Sequence, residues 1–266
     1  MKKILSILLS IVVIFALGGC GSKKAAVVTD KKVITVGASP IPHKEILEVV
    51  KPLLAKEGYT LKIVEFTDYV TPNTALAEKQ LDANFFQHVP YLTEFSKEKG
   101  LDLTWTVKVH IEPMALYSNK YKKLSDIKNG ASIAIPNDPT NGARALRVLE
   151  KAGLLKLKTG DLISKLDITS NPKNLKITEL DAPQLPRILK DMDAAVINSN
   201  YAIEAKLKLT DALAVEAKDS PYANVLAVRK EDKDKPYIKA LSKALTSLEV
   251  KKFILEKYKG AVIPAF

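Results

Sequence analysis

The sequence predicts an α/β fold built in two blocks. Short apolar runs that read as strands alternate with apolar faces at helical spacing from Val33 onward. The alternation pauses at Glu112-Pro113 and then starts again. Such a pattern argues mostly parallel sheets flanked by helices. Two blocks of domain size allow a two-lobed protein with a cleft between the lobes.

The first block opens with 32–37, a short apolar run ending in Gly37. Ile46, Leu47, Val50, Leu53 and Leu54 then fall on one helical face, with Gly58 placed as a C-terminal cap and Pro52 expected to kink or restart the helix. Leu61 to Phe66 reads as the second strand, closing a βαβ unit. Thr71-Pro72 starts another helix, with Thr as N-cap and Pro at the first helical position. An extended segment over 82–86, a helix ending at Gly100 and a strand over 101–109 complete the block. In the second block Ser125 is expected to cap a short helix. Strands follow over 131–135, 176–180 and 194–197, with a helix over 141–152 and another beginning near Tyr201 after Asn198-Ser199. A last strand, 225–228, precedes a helix from Pro236 with Ile238, Leu241, Leu245 and Leu248 expected inward.

Ahead of both blocks stands a different kind of segment. Lys2 and Lys3 precede an apolar or small run from Ile4 to Leu17, and Gly18-Gly19 lead into Cys20, the single cysteine. A charged start, an apolar run of secretory length and small residues before the cut form a signal peptide. A cysteine directly after them resembles a bacterial lipobox. The resemblance implies cleavage before Cys20 and acyl chains, including palmitate, holding the mature protein on the extracytoplasmic face of the cell membrane. Residues 20–32 read as the lipidated cysteine and a flexible tether. With its one cysteine so committed the chain has no disulfide framework.

The remaining 247 residues suffice for two domains. Apolar residues make up 47% and charged ones 27% of the chain, enough for a sizeable core. The formal charge of +11 comes from scattered lysines with few arginines and no aromatic interleaving. That distribution does not describe a nucleic-acid binder.

Ligands in open α/β sheets bind beyond the carboxyl ends of strands. The loops there collect Phe66 and Tyr69, then Phe86, His88 and Tyr91, then Asn141 and Arg144, then Asn198, and finally Asn224. Aromatics can line an apolar slot, while amides and a guanidinium can fix a small zwitterion. Asn141 to Arg144 at a helix start, with free N–H groups, would suit a carboxylate. Equally, Asn141 can simply cap the helix with Arg144 on its solvated face. The aromatics fit a plain core, His88 a structural histidine, and Asn198 a helix cap.

The strings FTDYVTPN, LDANFFQH, PNDPTNGAR, NPKNLKITELDAPQLPR, DAAVIN and SPYANV stand in order along the chain. Together they resemble the methionine-binding lipoproteins, the substrate-binding subunits of methionine ABC importers, over nearly the whole mature chain. The repeated strand–helix pattern on both sides of Glu112-Pro113 predicts residues 33–114 and 226–266 as one lobe and 115–225 as the other, and the resemblance implies a two-lobed periplasmic-binding-protein fold. It implies a monomer that is not an enzyme, needs no cofactor, captures L-methionine and delivers it to the transmembrane permease. By the same resemblance Phe66, Tyr69, Phe86, His88 and Tyr91 match the pocket wall of the first lobe. Asn141 and Arg144 match the anion end, and Asn198 and Asn224 match amides that hold the amino-acid backbone. Ala143 departs from a frequent glycine, and Pro42-His43 lies in a variable loop. D-methionine and a methionine-containing dipeptide stay open as ligands.

Two rival classes fare worse. No GxSxG elbow, Ser-x-x-Lys, GxGxxG or phosphate-binding P-loop is present to support an enzyme. A metal-binding ABC lipoprotein would need several convergent ligands. Only His43, His88 and His110 exist, no two at helical spacing.

Overall fold

The computed structural model of the chain describes residues 31–217 and 220–266. The expected signal peptide, Cys20 and nearly all of the tether lie outside these residues. Among the described residues no helix is long and apolar enough to cross a membrane.

The first block forms β1 (Val33–Ala38), α1 (Glu45–Lys56), β2 (Thr60–Glu65), α2 (Thr71–Ala77), β3 (Ala83–His88), α3 (Val89–Lys99) and β4 (Leu103–Ile111). α1 runs unbroken through Pro52, because that proline and Glu48, the residue whose carbonyl loses its donor, both face solvent. Gly58 and Gly100 take the left-handed conformation that ends a helix, with φ of +82° and +64°.

The chain then passes through 112–114 into β5 (Ala115–Tyr117), β6 (Ser132–Pro136), α4 (Pro139–Lys151), β7 (Lys156–Leu157), β8 (Ile168–Ser170) and β9 (Lys176–Leu180). α5 (Leu185–Ile188), β10 (Ala194–Ile197), α6 (Ser199–Glu204) and β11 (Ala214–Val215) follow. The helix expected after Ser125 is only a single 3₁₀ turn, Leu124–Asp126. It returns through β12 (Ala223–Arg229), α7 (Pro236–Leu245), α8 (Leu248–Tyr258) and β13 (Ile263–Pro264). The six-stranded sheet takes the chain back at Ala223, three residues ahead of the expected 226.

Strand order is β13-β4-β12-β3-β1-β2 in the larger sheet and β11-β5-β10-β6-β9 in the smaller. Both sheets are mixed, which corrects the expectation of mostly parallel ones. The βα units pair in parallel, β2 with β1 with β3, and β9 with β6 with β10. β12 and β5, each entered from a passage between the sheets, run in the reverse sense, so β12 pairs antiparallel with β3 and β4, and β5 with β10 and β11.

Helices cover both faces of each sheet. α1, α7 and α8 bury Leu47, Val50, Leu54, Leu241, Leu245 and Ile254 against one face of the larger sheet, with Val36, Leu226 and Val228. α2 and α3 bury Leu76 and Leu92 against the other, with Val225 and Ala227. That split of β12 residues is the period of two that puts successive side chains on opposite faces. One expectation fails here. Leu248 is 81% exposed, because Ser247 caps a new helix through its bond from Val250 N and turns the apolar stripe.

Candidate functional site

A cavity lies between the carboxyl-terminal ends of the two strand sets. From the larger sheet it takes Tyr69, the end of β3 (Phe86, Gln87, His88), Tyr91, Glu112 and Asn224. From the smaller it takes Asn141 and Arg144 of α4, then Asn198, Ser199 and Asn200 at the start of α6. Eight of the nine residues anticipated from the sequence therefore meet in one place.

Phe66 is the exception. Its backbone continues the β2 ladder, with Phe66 N donating to Ala38 O at 2.9 Å. Its side chain stays in step with Val64 and joins the apolar layer under α2. There it packs so closely over Gly37 that a Cβ on that glycine would fall 2.8 Å from its ring.

One end of the cavity is aromatic. Tyr69, Phe86 and Tyr91 stand with ring centroids 5.8–6.1 Å apart, and Tyr91 Oη donates to Tyr69 O at 2.8 Å. Gln87 is locked beside them by bonds to Asn73 and Asn84, so this wall is stiff.

The other end is polar and its hydrogen bonds can be followed atom by atom. His88 Nδ1 accepts from Tyr91 N, so the ring carries its proton on Nε2 and donates to Asn141 Oδ1 at 3.1 Å. Burial, and then the nearby Arg144 charge, hold His88 down to about 3, a neutral ring. Asn141 Oδ1 also accepts from Asn198 Nδ2 at 2.8 Å. Asn198 Oδ1 is then buried without a partner. A buried carbonyl oxygen left so at a cavity wall asks for a donor. Asn198 precedes α6, yet makes no capping bond with its side chain, since the amide turns to the cavity instead.

Two features differ from the sequence reading. The start of α4 is not open to an anion, because Asp138 is its N-cap and accepts from Asn141 N and Thr140 Oγ1, both at 2.9 Å. Arg144, 3% exposed, does not present its bidentate edge to the cavity. Nε and Nη2 bond Glu216 at 2.8 and 2.5 Å, and Nη2 also bonds Glu112 O at 2.6 Å. Tyr222 lies over the guanidinium at 4.4 Å. Nη1 is the nitrogen outside these bonds.

The sequence reading missed Gln87, Glu112, Ser199 and Asn200. Glu112 directly follows β4, so the strand-end rule could have flagged it. It was taken only as a boundary. Asn200 is found by its bond from Tyr69 Oη at 2.6 Å, across the cavity. Tyr201 Oη crosses the same gap to Thr67 O at 3.1 Å.

His43 and His110 also come together, with ring centroids 4.9 Å apart and Glu112 between their Nε2 atoms. Among the described residues this trio has the donor types and closeness, within 4.8 Å, that a metal ion requires. Both Nε2 atoms point at one carboxylate oxygen, while His110 Nδ1 is buried without a hydrogen-bond partner among the described residues.

A family model described as NlpA lipoprotein matches residues 34–266. The methionine-binding lipoprotein MetQ of Bacillus subtilis is 44% identical to the chain, covering 99% of each. A solved nutrient-binding protein from Burkholderia cenocepacia, bound to methionine, superposes with a TM-score of 0.85 at 49% identity, over 88% of this chain and 100% of that one. An ABC-transporter periplasmic substrate-binding protein from Coxiella burnetii gives a TM-score of 0.84 at 47% identity, over 87% and 100%. Sequence and architecture agree, and the chain belongs to the NlpA lipoprotein family.

Proposed function

We propose that this protein is the solute-binding subunit of an ABC importer and that it captures methionine in the cavity between its two sheets. The observation that carries this reading is the cavity's two-ended wall, aromatic at Tyr69, Phe86 and Tyr91 and polar at Arg144, Asn198 and Asn224. An amino acid with a flexible apolar side chain has the same two ends. The thioether sulfur lies against the aromatic rings, where each contact contributes about 0.3–1.5 kcal/mol. The carboxylate meets the Nη1 corner of Arg144. The ammonium donates to Asn198 Oδ1, the oxygen otherwise left unpaired, with Asn224 beside it.

The lobes in this reading are the larger sheet with its helices and the smaller sheet with its own. They hinge where the chain passes at 112–114 and where it returns to the larger sheet just ahead of Ala223, so that closure buries the ligand. The permease of the importer receives the closed form, while acyl chains on Cys20 keep the protein at the extracytoplasmic surface. Two chains suffice for stable anchoring.

Calorimetry of residues 33–266 against L-methionine, D-methionine and glycyl-methionine tests the ligand. Heat and a raised melting temperature with at least one of them are expected, and a flat response to all three overturns the reading. Anchoring has its own check. Cys20→Ala is expected to move the protein from the membrane to the soluble fraction with ligand binding intact. Its recovery with membranes at the wild-type level would count against lipid attachment.

A further inference from the structure

We propose that Glu112, positioned by His43 and His110, is the counter-ion that the cavity presents to the ligand's ammonium, and that it makes a free charged amine the selected feature. This deepens the methionine reading and rests on it.

The three side chains come from distant parts of the chain. His43 lies in the turn after β1, His110 near the end of β4, and Glu112 just beyond β4, where it lines the cavity. All are buried, the histidines at 1% and 0% exposure and Glu112 at 6%. His43 Nε2 faces two acceptors, Asn224 Oδ1 at 3.2 Å and Glu112 Oε1 at 3.3 Å. Only a protonated Nε2 satisfies both, so the Ser39 hydroxyl donates to Nδ1 at 2.6 Å. His110 Nε2 sits 2.7 Å from the same Oε1. The carboxylate is thus held from behind by two imidazole N–H groups, with the Asn200 backbone N–H as a further donor. The same His43 proton bridges Glu112 to Asn224, so one ring orients two cavity-lining groups.

Charge accounting shows what is absent from the set. Both rings are neutral at neutral pH, since burial holds them to about 4 and about 3. Arg144 bonds only the Glu112 backbone carbonyl, and its charge is matched by Glu216. Tyr69 and Tyr258, the other titratable groups in the field of Glu112, are un-ionised phenols whose titration burial pushes further up. Burial pushes the Glu112 carboxyl up while His43 and Arg144 pull it back, and the carboxylate stands in a buried wall with hydrogen-bond donors but, among the described residues, no Lys or Arg in ion-pair contact. A buried charge without a partner is costly, and a ligand ammonium relieves that cost.

The test compares L-methionine with its des-amino analogue, 4-(methylthio)butanoate, in wild-type protein and in Glu112→Gln, His110→Ala and His110→Gln. Wild type is expected to prefer methionine by at least about 30-fold, the lower range for losing one partner of a buried charge pair. In Glu112→Gln the preference should collapse to within about threefold, while the analogue binds as before. His110→Ala should narrow the gap, and His110→Gln, which restores an N–H donor, should widen it again. A merely structural role weakens both ligands equally and leaves the gap unchanged, which overturns the proposal. Should Glu112→Gln fail to fold, the His110 pair decides by the same gap. Wild type that binds methionine with the gap intact in every variant refutes this inference alone. Wild type that binds neither ligand refutes the methionine reading beneath it.

Discussion

Replacing Arg144 with alanine is expected to weaken methionine binding by about 2–5 kcal/mol, the range for leaving one member of a buried charge pair unmatched. That is a loss of roughly thirtyfold to several thousandfold in affinity. Asn224→Ala should fall in the same class, because Asn224 lines the cavity and is fixed there by His43 at 3.2 Å. Substituting one aromatic should cost less and should mainly blur discrimination against leucine-sized side chains. Arg144 carries a complication that only its contacts reveal. Its removal strands the Glu216 carboxylate, 12% exposed, and the Glu112 carbonyl. Part of any loss can therefore be a loss of stability. The double variant Arg144→Ala with Glu216→Gln removes the stranded charge. It should recover melting temperature without recovering affinity. Titration calorimetry reads the affinities and thermal melts read the stability. If Arg144→Ala and Asn224→Ala both bind within about threefold of wild type, the site assignment is wrong.

Stability should collapse in mildly acidic solution. His43, His88 and His110 are all fully buried, and burial is the largest cause that holds them to about 4, about 3 and about 3. In the unfolded chain each titrates near 6.5. A depressed histidine leaves stability whole above pH 6.5, and the loss begins as pH falls below it, because the unfolded state then takes up protons that the folded state refuses. Three such groups give a slope of about 4 kcal/mol per pH unit through the window from roughly pH 6 to 4. Glu112 acts in the opposite sense, since burial raises it and the folded state binds its proton first. In the lower part of the window it makes the slope shallower. Urea denaturation at intervals from pH 7.5 to 5.5 measures the onset of this loss, above the range where most surface carboxylates titrate. A stability that is flat across that interval would show the histidines to be accessible to protons in the folded state.

What was legible in the chain was what neighbouring residues encode. Periodicity placed α1, α3, α4, β9 and β10 to within a few residues, since each is set by spacing within one turn or one pleat. It failed where two helices follow head to tail. The stripe through Leu245 suggested continuation to Leu248, but Ser247 restarts the helix and leaves Leu248 in solvent. The strand-end rule picked out His88, Asn141 and Asn198, because loops after strands are where α/β proteins place their sites. It misjudged Phe66, whose direction depends on the pleat continuing one residue past β2.

By itself the sequence determined the two α/β blocks and an aromatic and amide-rich set of strand ends matching one family. The tertiary structure alone decided which of those residues face one another. His43 meets Asn224 across 181 positions, and Tyr69 meets Asn200 across 131. It also decided that Asp138 fills the start of α4, that Glu216 takes the edge of Arg144, and that Glu112 stands between two histidines. Spacing along a chain specifies local hydrogen bonds and faces. Bonds between distant segments, and the directions in which strands enter a sheet, are set by how the helices and sheets pack.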